Sequence, residues 1–97
     1  MKNVMALCWA ASQGDLTEIR RLVANDVDLN GCDYDGRTPL HLAASEGQDH
    51  VVRFLLAKSV VLDPKDRWGM TPLDNAKKEC HYSTIKLLED HVLSKEC

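Results

Sequence analysis

Set against itself at an offset of 33 residues, the chain repeats: Asp33-Tyr34-Asp35-Gly36-Arg37-Thr38-Pro39-Leu40-His41-Leu42-Ala43 falls on Asp66-Arg67-Trp68-Gly69-Met70-Thr71-Pro72-Leu73-Asp74-Asn75-Ala76. A fixed period of this length constrains the fold more than any composition does. Each period is one supersecondary unit, and it buries its apolar face only against a neighbour. The register extends both ways. Adding 33 to Val52 and Leu55 reaches Ile85 and Leu88, and subtracting it reaches Ile19 and Leu22. Leu7, Ala10, Ala11 and Gly14 stand where Leu40, Ala43, Ala44 and Gly47 stand one period later. A single domain over residues 1–97 is therefore expected, with units at about 3–30, 33–63 and 66–95. The first unit has Met5-Ala6 in place of the Thr-Pro pair, as befits a terminal unit with no preceding neighbour.

Most repeated residues have a mechanical reading. Thr38 and Thr71 stand as helix N-caps, whose hydroxyls accept an otherwise orphaned backbone N–H, and Pro39 and Pro72 follow at the first helical position. Gly36 and Gly69 occupy the tight turn before each helix, where a positive φ penalises a side chain. Ala43, Ala44 and Ala76 let the first helix of each pair approach its neighbour. The second helices carry one apolar stripe: Ile19, Leu22 and Val23, then Val51, Val52, Leu55 and Leu56, then Ile85, Leu88 and Val92. His41 is expected to bond back to the Thr38 hydroxyl or to a neighbouring turn, with Asp74 as its short polar counterpart. Cys80 replaces the helix-end glycine seen as Gly14 and Gly47, so it reads as a departure at a turn and not as a nucleophile, although His81 adjoins it. Asp26 and Ser59 fall where a left-handed residue ends the second helix, a place that favours glycine.

A glycine turn followed by Thr-Pro-Leu and two short helical patterns, recurring at this period, resembles the ankyrin repeat. The resemblance implies an all-α solenoid of three stacked helix-turn-helix units with short β-turn or hairpin-like connectors. It also implies recognition of proteins, since stacked repeats offer a surface without themselves supplying chemistry. The residues agree with a non-enzymatic chain. There is no glycine-rich phosphate loop, no Gly-x-Ser-x-Gly and no His-Glu-x-x-His. Cys8, Cys32, Cys80 and Cys97 are widely spaced without a Cys-x-x-Cys pair, which gives no reason to expect zinc or a disulfide framework and favours a reducing, intracellular compartment. No cofactor, metal or small-molecule substrate is expected. A net charge of −3 argues against nucleic acid as the partner, and no stretch reads as a signal or membrane-spanning segment.

If the framework is structural, information resides where units differ at equivalent places. The turn tips carry Tyr34, Asp35 and Arg37 in one unit against Arg67, Trp68 and Met70 in the next. The inner faces of the first helices carry Trp9, Ser12 and Gln13, then Leu42, Ser45 and Glu46, then Asn75, Lys78 and Glu79. Tyr34, Asp35, Arg37, Arg67, Trp68, Met70 and Trp9 are the candidate partner-binding residues, because aromatic and arginine side chains on a rigid rim remove much area from water at low entropic cost. Trp68 and Trp9 have a second reading, as covers folded over the adjacent turn or unit. The ends of the stack suggest self-association: Met1, Val4 and Met5 at one, Leu87 and Val92 at the other, the latter beside polar Lys86, Glu89, Asp90 and Lys95. The partner is thus another protein or a second copy in a homodimer. The connector Val60-Val61-Leu62-Asp63-Pro64 is apolar enough either to tuck against the stack or to meet another subunit.

A finer resemblance rests on Ala10-Ala11-Ser12-Gln13-Gly14-Asp15, on Asp33 to Gly47, and above all on Pro64-Lys65-Asp66-Arg67-Trp68-Gly69-Met70-Thr71-Pro72-Leu73-Asp74. These are similar to the C-terminal ankyrin domain of animal glutaminases. Similar Asp-Arg-Trp-Gly-x-Thr-Pro-Leu-Asp turns occur in ankyrin tails of cytoplasmic-type asparaginases and of plant potassium channels. The glutaminase resemblance implies a non-catalytic assembly or interaction module of an oligomeric, serine-dependent enzyme that hydrolyses glutamine to glutamate and ammonia. It also implies a mitochondrial or cytoplasmic location.

Overall fold

The computed structural model describes residues 4–58 and 60–96, with side chains described no further than His91. Met1, Ser59, Cys97 and the side chains of Val92 and Lys95, named above, lie outside the described residues. Six helices follow one another, α1 (Val4–Gln13), α2 (Leu16–Ala24), α3 (Pro39–Glu46), α4 (Asp49–Ala57), α5 (Pro72–Lys78) and α6 (Tyr82–Glu96), and no strand occurs among the described residues. They pair as three helix-turn-helix units.

The inner helices approach most closely, α1 on α3 and α3 on α5. The reason is side-chain size: Ala10, Ala11, Ala43, Ala44 and Ala76 are all buried at these contacts. The outer helices contribute the bulk of the core through Ile19, Leu22, Val51, Val52, Leu55 and Leu88, continuous with Leu7 and Leu40. Burying each such side chain stabilises the fold by about 1.5 to 3 kcal/mol, and no unit could bury its own stripe alone. The connector residue Val60 is buried and Leu62 packs against the core, while Val61 is exposed, so most of the apolar connector is tucked in.

Local chemistry starts and stops the helices where the pattern predicts. Thr38 and Thr71 are N-caps in extended conformation, each closing a capping box with the residue three positions on, His41 or Asp74, and each followed by proline. Gly36 and Gly69 have φ of 73° and 76°. The three inner helices end in a left-handed residue, Gly14 (φ 73°), Gly47 (φ 69°) and Cys80 (φ 58°), which confirms Cys80 as the stand-in for glycine. Asp26 is likewise left-handed at φ 63°.

Hydrogen bonds between units repeat with the same period. The Gln48 side-chain amide donates to the Ser12 carbonyl at 3.1 Å, and one period later the His81 ring is 2.9 Å from the Ser45 carbonyl. His50 meets the Gly14 carbonyl at 2.7 Å. His41 reaches both Thr38 and the neighbouring turn. Its Nδ1 accepts from the Thr38 N–H at 3.1 Å, so Nε2 carries the proton and donates to the Met70 carbonyl, 2.7 Å away in the next unit. Burial pushes His41 below its ordinary pKa, outweighing the opposite effect of Met70 and Asp66, and the neutral ring is the form that fits both bonds.

Candidate functional site

The turn tips are held rigidly by aspartates that open each turn. Asp33 Oδ1 accepts from the N–H groups of Asp35 at 2.9 Å and Arg37 at 3.0 Å. One period on, Asp66 Oδ1 accepts from Trp68 and Met70, both at 2.9 Å. This is Asx-turn chemistry, in which a short carboxylate replaces water for the turn's backbone donors. Burial works against the ionised form of Asp66, but the bonds from Met70 and Trp68 prevail and hold its carboxyl below the ordinary value. A backbone bond from Arg67 N–H to the Asp35 carbonyl at 2.8 Å joins the two tips, and an exposed Arg67–Asp35 ion pair at 3.3 Å runs beside it.

On this braced rim the aromatic side chains stand out into solvent. Tyr34 is 92% exposed, Trp9 67% and Trp68 62%. The Arg67 guanidinium lies over the Trp68 ring, 5.4 Å from its centroid. The ring is therefore held by its neighbour in sequence while most of its surface stays open. Next to it a groove of about 390 Å³ opens between the second and third units. Arg37, Trp68 and Met70 line it together with Ser45, Lys78 and Glu79, and Asp66 and Asn75 belong to the same lining.

The structure thus gathers three of the seven candidates, Arg37, Trp68 and Met70, into one concavity and sets Asp35 and Arg67 at its edge as a pair. Tyr34 projects from the neighbouring tip, and Trp9, on α1 of the first unit, does not line the groove. Two lining residues gain a different meaning. Asn75, counted in the sequence among exposed inner-face residues, is buried, because the third unit's α5 leans against α3 there. Asp66 was legible only as a repeat of Asp33; the signal that could have found it is an aspartate two and four residues before turn N–H groups.

Cys8 is buried, and burial followed by the negative charge of Asp33 pushes its thiol up to about 12, so it is a protonated core residue, not a nucleophile. Among the described residues no group of three His, Cys, Asp or Glu side chains is placed to hold a metal ion, and no helix is long and apolar enough to cross a membrane.

The family described as ankyrin repeats (three copies) matches residues 7–96. Individual relatives match over shorter stretches. The potassium channel SKOR of Arabidopsis thaliana is 49% identical over 37 residues, 38% of this chain and 4% of its own length. An L-asparaginase of Dirofilaria immitis is 51% identical over 37 residues, 38% of this chain and 6% of its own. The mitochondrial liver isoform of glutaminase from Rattus norvegicus is 45% identical over 42 residues, 43% of this chain and 7% of its own. A channel, an asparaginase and a glutaminase share the likeness, so it follows the repeat and not one activity.

Proposed function

Because the chain belongs to the ankyrin-repeat family, we propose that it is a non-catalytic recognition module that binds a protein partner through the inner rim, with Tyr34, Arg37, Arg67, Trp68 and Met70 as the principal contacts and Asp35 and Trp9 at the margin. The observation that carries the reading is the exposure of Trp68 and Tyr34 on turns braced by backbone bonds to Asp33 and Asp66. A large side chain held in the open, on a turn that does not need it for its own geometry, gives up little entropy on binding. Protein is the partner class in this reading, in preference to nucleic acid, membrane or a small-molecule substrate. The partner is a different protein or a second copy of the chain.

The parent we favour is a glutaminase, with a mitochondrial or cytoplasmic location following from it. The support is the run from Pro64 to Asp74 and the partial likeness to the rat liver isoform. An asparaginase or a channel is the alternative, supported by partial matches of similar length. Reading the coding sequence on the 5′ side distinguishes them: a serine-dependent glutaminase domain supports the first, and an asparaginase domain or channel segments refute it.

The recognition reading is tested with a binder selected from a displayed protein library against the immobilised chain. Trp68→Ala is expected to weaken that binder by about 1 to 2 kcal/mol while Lys86→Ala leaves it unchanged. Equal affinities for all three proteins would refute the inner rim as the recognition surface. Mass measured over a concentration series separates the two partner classes, since only self-association gives a dimer that grows with concentration.

A further inference from the structure

The outer helices α2, α4 and α6 carry charges that are not evenly paired. Ion pairs among the described residues join Glu18 to Arg21, Lys77 to Glu89 and Lys86 to Asp90, besides the Asp35–Arg67 pair on the rim. Arg20 on α2, Arg53 on α4 and Lys58 at the end of α4 are all exposed, and none of them has a carboxylate partner among the described residues. Two of these cations share one ring. The Arg20 guanidinium lies 5.9 Å and the Lys58 ammonium 5.3 Å from the centre of Phe54, whose side chain is partly buried against the core. The ring attracts each cation, but the two like charges repel one another, and an anion placed between them would relieve that repulsion.

The third cation borders an apolar groove. Phe54 and Lys58 are one helical turn apart, as are Arg53 and Ala57, so the two rows lie side by side along α4. The second row opens into a groove of about 430 Å³ between α4 and α6. Leu56, Ala57 and Leu87 make its apolar lining, and Arg53, Asp90 and His91 complete it. Asp90 is held by Lys86 at 3.7 Å, whereas Arg53 is left for an incoming anion.

Charge and hydrocarbon together select the ligand. The whole chain carries −3, so the cationic excess here is local and falls short of the clustered basic face that a nucleic-acid backbone requires. The apolar lining calls for hydrocarbon to bury, which a phosphate group does not bring. A peptide in which glutamate or aspartate is interspersed with leucine-like residues supplies both, carboxylates for the three cations and an apolar side chain for the groove.

We propose that the outer face of α4 is a second docking surface, which takes an acidic, leucine-bearing segment of a protein partner. Its carboxylates pair with Arg20, Arg53 and Lys58 around Phe54, and an apolar side chain enters the groove beside Leu56, Ala57 and Leu87. This surface shares no residue with the inner rim.

The test uses the full chain with 13C in its phenylalanine ring and 15N in its tryptophan indoles. Phe54 is the only phenylalanine, so the ring signal reports this face alone, while the Trp68 indole reports the rim. The probes are a blocked hexapeptide, Glu-Leu-Glu-Glu-Leu-Glu, its counterpart with glutamine for every glutamate, and inorganic tripolyphosphate. The glutamate peptide is expected to move the Phe54 signal saturably and to bind at least about tenfold more tightly than the glutamine peptide, with an affinity that falls as salt is raised. Arg20→Gln, Arg53→Gln and Lys58→Gln change exposed side chains, so the variants should fold, and each should weaken the glutamate peptide about two- to fivefold. Lys65→Gln, which removes an exposed cation from the connector before α5, should leave the affinity unchanged. Equal binding of the two peptides overturns the ion pairing, and tripolyphosphate binding as tightly as the glutamate peptide overturns the choice of a peptide. Equal weakening by Lys65→Gln reduces the effect to net charge and overturns the site. A Phe54 signal that stays in place overturns it as well, whether or not the Trp68 signal moves, and the affinity of the selected binder for Trp68→Ala decides the rim separately.

Discussion

The second and third units are built on one pattern, but they do not answer to the same constraints. At the end of α3, Gly47 is left-handed, and a Cβ placed there would lie 2.7 Å from the His81 ring, which crosses over it to reach the Ser45 carbonyl. At the end of α5, the equivalent residue is Cys80, equally left-handed but exposed. The same contrast holds three residues into each helix. His41 caps its own helix and bonds forward to Met70, while Asp74 only caps. Gly14 repeats the interior case, because a Cβ there would meet the Gln48 amide at 2.5 Å. An interior glycine is thus required twice, by its φ and by the strap from the next unit. At Cys80 no strap crosses the turn among the described residues, and there a side chain is tolerated at a conformational cost.

Substitutions break or sharpen this contrast. Gly47→Ala should show the largest effect, a loss of about 2 to 3 kcal/mol in urea unfolding, since it combines left-handed strain with displacement of the His81 strap. A loss of under about 1 kcal/mol would mean that the strap contributes nothing. Next comes His41. The unfolded chain takes up a proton at the ordinary value of 6.5, whereas the folded ring does so only at lower pH. The stability it contributes is therefore full above about 6.5 and is lost as the pH falls through the folded value. Urea midpoints should accordingly drop on acidification, and His41→Asn should flatten that dependence while lowering stability by about 1 to 2 kcal/mol at neutral pH. A pH dependence that is the same in both proteins would place its origin elsewhere.

The two left-handed residues that are not glycine predict gains. Cys80→Gly should raise stability by about 1 kcal/mol, because it relieves the left-handed strain and no following strap competes for the space. A loss in thermal midpoint would show that the Cys80 side chain has a packing role. Asp26→Gly should give the smallest change, a gain of a few tenths up to about 1 kcal/mol, since aspartate tolerates the left-handed region better than most residues.

Much of this fold was legible because its rules are local. A threonine before a proline caps a helix, a glycine opens a turn, and a residue one and two periods after two glycines takes their conformation even when it is Cys80. What was not legible depends on the distance between units. Nothing in the neighbourhood of Gln48 or His81 says that its side chain spans to Ser12 or Ser45, and only the stacked structure puts His41 against Met70. The candidate site divides the same way. The exposure of Tyr34 and Trp68 followed from their place at turn tips, but Arg67 lying over Trp68, the burial of Asn75 and the shared groove are products of packing.

The central claim is that the repeated residues hold the frame while the rim aromatics are free to bind. Urea unfolding of Trp68→Ala, measured without any partner, tests it most directly. With the ring 62% exposed, the account predicts a loss below about 0.5 to 1 kcal/mol and an unchanged slope. A loss above about 2 kcal/mol would contradict it, by showing that Trp68 is part of the packing that joins the second and third units.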